Sequence, residues 1–119
     1  EVMTPLDTIY KTVTDFYGKE ESFIVKKDMN RERTYIRQLF YYISRSLNGY
    51  LISLSEIGAF NNSDPFNHAT VLYSVKRIQG LVEVDKYVRS EVLNILKKLP
   101  SNRKTEHVIR KIEMLENGG

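Results

Sequence analysis

Two short segments constrain the fold of this chain more than anything else in it: Ser53-Leu54-Ser55-Glu56-Ile57-Gly58, and His68-Ala69-Thr70-Val71-Leu72 ten positions after that glycine. Ser53 stands where a helix N-cap would, and Glu56 three residues on lets the two side chains satisfy each other's exposed backbone N–H groups, a capping box. Asn61, Asn62, Ser63, Asp64 and Pro65 form a breaker-rich connection, after which Asn67 can cap a second helix from His68 to Gln79 with Gly80 as its stop. Val71, Leu72, Val75 and Ile78 recur at the spacing that buries one helical face, turning His68, Thr70, Tyr73, Ser74, Lys76 and Arg77 outward. Small polar residues at the start of that outward face suit a recognition helix, because bulk in the first turn would hold it away from base edges in the major groove. The plain alternative is an ordinary amphipathic surface helix.

The rest of the chain reads as helix, with strand signals nearly absent, so the expected fold class is all-α: a multi-helix domain containing a helix-turn-helix, with an extra C-terminal helix. Thr4-Pro5 opens a first helix on the stripe Leu6, Ile9, Tyr10, Val13, Phe16 and Tyr17, closed by Gly18. A short helical turn follows over Ser22 to Val25. Lys26 to Arg33 has no apolar period and reads as a basic loop; Thr34 then caps a helix running to Leu47 on Ile36, Leu39, Phe40 and Ile43, stopped by Asn48-Gly49. Asp85 to Lys98 supplies a helix through Val84, Val88, Val92, Ile95, Leu96 and Leu99, ended by Pro100. Ser101 caps a last helix carrying Val108, Ile109, Ile112 and Leu115, and Gly118-Gly119 reads as a frayed end. The expectation is one domain over residues 1–119, with a core over about 4–99 and the additional helix over about 101–117; 119 residues that are 41% apolar can bury such a core.

Charge distribution says more than its sum. Eighteen Lys and Arg against fifteen Asp and Glu leave only +3, yet Lys26 to Arg45 holds six cations (Lys26, Lys27, Arg31, Arg33, Arg37, Arg45) against Asp28 and Glu32. That segment is the candidate phosphate contact, with a merely solvated basic face as the alternative. Zero cysteines exclude disulfides, thiol chemistry and cysteine-ligated zinc, and fit a cytoplasmic setting. No apolar run is long enough for a membrane span and no signal peptide stands out, so no membrane partner is expected. With histidine only at 68 and 107, no HExxH, no paired carboxylates and six scattered glycines, neither an enzyme, a metal, a cofactor nor a small-molecule substrate is implied. Tyr35, Tyr41, Tyr42 and Tyr50 read mainly as a packing seam, with stacking on single-stranded bases as the alternative.

Several separated motifs in order carry a family resemblance: Ile9-Tyr10-Lys11-Thr12-Val13 through Phe16-Tyr17, Val25-Lys26-Lys27, Arg37-Gln38, and the two segments of the helix-turn-helix. From Ile9 to Leu99 the chain resembles the C-terminal DNA-binding domain of the bacterial chromosomal replication initiators of the DnaA family. The resemblance implies a monomeric reader of a short asymmetric site in double-stranded DNA, nucleoid-associated, with the second helix in the major groove, the basic loop on phosphates and the adjacent minor groove, and no reaction in the domain. Carried over by position, His68 and Thr70 fall on base and backbone contacts, Arg37 and Gln38 where the loop runs into its helix, and Lys27 and Arg31 on basic loop positions. With Arg33, Asn67, Ala69, Tyr73, Lys76 and Arg77 these make the candidate DNA-binding set. The departures bear on specificity: Asn67 replaces the family's Asp, Ala69 its Thr and Phe66 its Arg, while the minor-groove arginine falls on Tyr35, the following proline on Ile36, and two loop basics on Asp28 and Met29. The connection from Gly58 to His68 is also longer. A drifted target sequence is the expectation, since Asn and Asp differ in what they donate and accept at a base edge and Ala69 offers only a methyl group. The helix from Ser101 to Asn117 is additional to the family's domain, and the ATPase module that precedes that domain in the family does not stand in this chain. A second reading is a protein-interaction module that kept the fold, its partner engaged through the C-terminal helix.

Overall fold

A computed structural model describes residues 3–117, which form six α-helices: α1 (Leu6–Phe16), α2 (Arg31–Asn48), α3 (Leu54–Ala59), α4 (His68–Val84), α5 (Lys86–Lys98) and α6 (Arg103–Asn117). Short 3₁₀ turns lie at Phe23–Val25 and Gly49–Leu51, and there is no strand among the described residues. Gly118-Gly119 lie outside them.

α2 is the axis of the fold, because its apolar residues surround nearly its whole circumference: Ile36, Leu39, Phe40, Tyr41, Tyr42, Ile43 and Leu47 are all buried. A helix buried on every side needs neighbours on every side, and α2 lies against α1, α3, α4, α5 and α6. Phe40 sits at the centre with Tyr10 edge-on at 5.1 Å and Phe60 at 6.0 Å between ring centroids. Removal of such a ring from a packed core costs about 3–5 kcal/mol. At the far end Asn48 holds the entering chain: its Oδ1 accepts from the Thr4 backbone N–H at 2.7 Å and its Nδ2 donates to the Thr4 carbonyl at 3.0 Å. Gly49 then stops the helix with φ +55°, a conformation that favours glycine.

Four boundaries differ from the sequence reading, each for a local reason. α2 starts at Arg31 rather than after Thr34, because Asn30 accepts from the Arg33 N–H at 2.8 Å and so caps the helix one turn earlier. Gly80 does not end α4; the helix runs on to Val84 because Val82 reaches the core, which outweighs the roughly 1 kcal/mol by which glycine is a poorer helix former than alanine. Val84, placed by sequence on the α5 stripe, is instead the exposed last residue of α4. α6 is capped by Asn102, whose Oδ1 accepts from the Thr105 N–H at 2.9 Å, while the Ser101 hydroxyl bonds Glu106.

α4 and α5 meet at one residue. Asp85 donates its N–H to the Leu81 carbonyl as the last link of α4, and its carboxylate accepts from the N–H groups of Tyr87 and Val88 as the first of α5. The buried Arg89 reaches back to the end of α4, donating from Nε to the Val82 carbonyl at 2.8 Å and from Nη2 to that of Glu83 at 2.7 Å. Carbonyls left without helical partners thus receive a charged donor. α6 lays Val108, Ile109 and Ile112 against α5 and α2, so the C-terminal helix packs within the chain.

Candidate nucleic-acid interface

The first turn of α4 is presented by the segment before it. Ser53 Oγ accepts from the Glu56 N–H and Glu56 Oε1 from the Ser53 N–H, both at 3.1 Å, so the capping box forms and fixes the start of α3. α3 then crosses α4 closely: a Cβ at Gly58 would stand 2.5 Å from the Phe66 carbonyl oxygen and 2.9 Å from Val71 Cγ2, so only glycine permits this approach. Asn67 caps α4 by accepting from the Thr70 N–H at 2.9 Å. Asn67, His68, Ala69 and Thr70 are all exposed, and Tyr73, Lys76 and Arg77 continue the exposed face. Ser74 departs from the sequence reading: it is buried, its hydroxyl donating to the Thr70 carbonyl, because its position brings it onto the side that packs on α2.

Beside this turn lies the start of α2, and here the cations divide. Arg31, in the first turn, is exposed. Arg33 is drawn inward: it donates to the Phe23 carbonyl, pairs with Asp28 and lies over the Phe23 ring at 4.4 Å. Arg37 is buried; its Nη1 donates to the carbonyls of Ile24 at 2.9 Å and Lys26 at 3.1 Å, and its guanidinium stacks on Phe66 at 4.3 Å. The geometry therefore makes Arg33 and Arg37 the frame of the basic loop, Arg37 buried and Arg33 engaged through Nε and Nη1. Lys27 is half turned to the connection ahead of α4, paired with Asp64 at 3.1 Å and lying 4.7 Å from the Phe66 ring. The Asp28 carboxyl is held below its usual range by the Asn30 N–H and by Arg33.

One hydrogen bond joins the two halves. The buried Gln38 accepts at Oε1 from Arg77 Nε at 3.2 Å, which leaves the terminal nitrogens of Arg77 toward a shallow groove of about 550 Å³ that Arg31, Thr34, Tyr35 and Asp28 also line. Arg31 and Arg77 thus line one groove from different helices, two guanidinium groups of a kind that can pair with an anion. Tyr35 is anchored on its other side: its hydroxyl and that of Tyr17 both donate to Glu91 Oε1, at 2.8 and 2.7 Å. Burial, then the neighbouring carboxylate, pushes both tyrosines well above their ordinary range, so they stay neutral donors.

Of the twelve candidate residues, Asn67, His68, Ala69, Thr70, Tyr73, Lys76 and Arg77 share the exposed face of α4, with Arg31 across the groove and Gln38 beneath. Lys27, Arg33 and Arg37 are engaged within the chain. Sequence reasoning missed the parts of Asp64, Phe66 and Glu91, which act through partners 25 to 74 positions away and leave no local pattern; for Asp64 the only signal was its place in the breaker-rich connection. No helix is long and apolar enough to cross a membrane, and no cluster of three metal-ligating side chains occurs among the described residues.

Comparison with known proteins supplies the context. The family model described as the bacterial dnaA protein helix-turn-helix matches residues 6–78. Two relatives, the chromosomal replication initiator proteins DnaA of Bacteroides thetaiotaomicron and Bacteroides fragilis, are each 37% identical over 91 residues, 76% of this chain. The chain spans only 18% of the length of either relative.

Proposed function

We propose, on the premise that this chain belongs to the bacterial DnaA helix-turn-helix family, that it binds double-stranded DNA sequence-selectively in replication initiation. The first turn of α4 enters the major groove. Asn67, His68, Ala69 and Thr70 meet base edges and the nearest backbone, with Tyr73 and Lys76 following along the groove wall. Arg77 and Arg31 take phosphates from the two sides of their groove, Gln38 aims Arg77, and Lys27 exchanges Asp64 for phosphate when a duplex arrives. Arg33 and Arg37 act by holding the loop. No chemical step falls to this chain, and a cytoplasmic, nucleoid-associated setting follows from the partner.

The observation that carries this reading is the juxtaposition of a small, polar, exposed helix start with Arg31 and Arg77 in one groove, joined by the Gln38–Arg77 hydrogen bond. Phosphate contacts supply affinity and register, base edges supply choice of sequence. The test is fluorescence anisotropy with a labelled duplex carrying the site the family reads, a scrambled duplex and a single strand, each at about 50 and 200 mM salt, a rise that weakens binding about 3.5-fold for each phosphate contact. Preference for one duplex with a steep salt dependence is the expected result. Equal, salt-sensitive binding to both duplexes would mean a drifted site, and absence of salt-sensitive duplex binding would sink the proposal in favour of an interaction module. Tyr35, tied to Glu91 where the family places its minor-groove arginine, is the observation that favours that second reading.

A further inference from the structure

α6 leans on α5 and α2 and leaves an open groove of about 350 Å³ between itself, the C-terminal third of α2 and the C-terminal half of α4. Its floor is aliphatic: Val75 and Val82 from α4, Val108 and Ile112 from α6. Its rim is cationic, with Arg45, Lys104 and Lys111 around a single carboxylate, Glu83. Lys104 and Lys111 are exposed and make no ion pair among the described residues. Arg45 carries the rim further, since its guanidinium lies 4.2 Å over the ring of Tyr50, which is 91% exposed.

We propose that this groove docks an acidic amphipathic segment of a partner protein. An aliphatic floor is satisfied by Leu-, Ile- or Phe-type anchors and gives nothing to a sugar-phosphate chain, while a rim of three cations against one carboxylate calls for Asp and Glu around those anchors. The exposed Tyr50 and the half-buried Arg45 at the edge are of residue types that dominate binding energy in protein interfaces. The groove is also independent of the DNA-facing side: Val75, Gln79 and Val82 lie at i, i+4 and i+7 on the face of α4 opposite Ala69, Tyr73 and Arg77, so both faces can be occupied together.

The test selects phage-displayed random peptides on the whole chain, then measures the enriched peptides by fluorescence anisotropy against wild type and the Lys104→Glu, Lys111→Glu double variant. Both substituted residues are exposed, so the melting temperature reports intact folding. Enriched peptides should combine carboxylates with apolar anchors at helical spacing, bind the double variant about tenfold or more weakly, and remain bound when duplex DNA is added. Arg77→Ala should leave peptide binding unchanged. No enrichment, enrichment without that pattern, equal binding to the double variant, or displacement of peptide by duplex or single-stranded DNA would each overturn the proposal, the last by making the groove a nucleic-acid surface.

Discussion

The starts of α2 and α4 are built from similar parts and do opposite things. Each is capped by an asparagine, Asn30 accepting from Arg33 and Asn67 from Thr70. Around α2 the side chains turn inward: Arg33 and Arg37 reach backbone carbonyls of the preceding loop and lie on phenylalanine rings. Around α4 the first buried side chain is Val71, and apart from the Asn67 cap the residues of the first turn, His68, Ala69 and Thr70, stay exposed. The lesson is that cationic charge in a sequence is not a count of phosphate contacts. An arginine beside unsatisfied carbonyls is drawn to them, since a buried carbonyl without a donor costs about 1–3 kcal/mol.

That contrast can be broken by substitution. The largest effect is expected from Arg37→Ala, which strands the Ile24 and Lys26 carbonyls and should lower stability by about 2–3 kcal/mol in chemical denaturation; unchanged stability would mean that this arginine is free after all. Gly58→Ala forces the α3–α4 crossing apart and should cost about 2 kcal/mol, visible as a fall in the thermal midpoint. Arg77→Ala strands the Gln38 Oε1 and should cost about 1 kcal/mol of stability, while weakening duplex binding about tenfold and lowering the salt slope by roughly one. Asn67→Ala should cost about 1 kcal/mol of stability through the lost cap, whereas Asn67→Asp keeps the cap and should instead alter which duplex is preferred, read by competition binding. The last effect is confined to alkaline pH. Burial pushes the Tyr41 hydroxyl from its ordinary value of 10 up to about 12, so its contribution is whole below pH 10 and is lost as pH rises from there through 12. Tyr41→Phe should flatten that part of the stability profile, measured by denaturation at stepped pH.

What the sequence discloses and what it hides follow the range of the interaction. The capping box at Ser53 and Glu56, the Asn67 cap, the stop at Gly49 and the break at Pro100 are settled within four residues, and all appear where local rules put them. The Asn30 cap was hidden because the first turn of α2 faces solvent and carries no apolar period. The extension of α4 past Gly80 was hidden because Val82, beyond the glycine, and Arg89, across the Asp85 junction, decide it. In the candidate interface, the exposed turn of α4 was legible residue by residue. The inward turn of Arg33 and Arg37 was not, because their carbonyl partners ten to thirteen positions back are invisible until the loop folds over α2.

The single-residue junction at Asp85 sets what variation this molecule can absorb. With no loop between α4 and α5, inserting one residue there would rotate everything downstream by about 100° about the helix axis. Arg89 would then miss the carbonyls of Val82 and Glu83, and α6 would lose its seat on α2. Length is therefore frozen at 85 while residue identity on the exposed faces stays open. The connection ahead of Asn67 is instead an irregular segment, held by Lys27 and by the approach of Gly58 to Phe66. Non-helical chain leads into the exposed turn of α4, but whatever that helix touches, its far end delivers the position of α5 and α6 without slack.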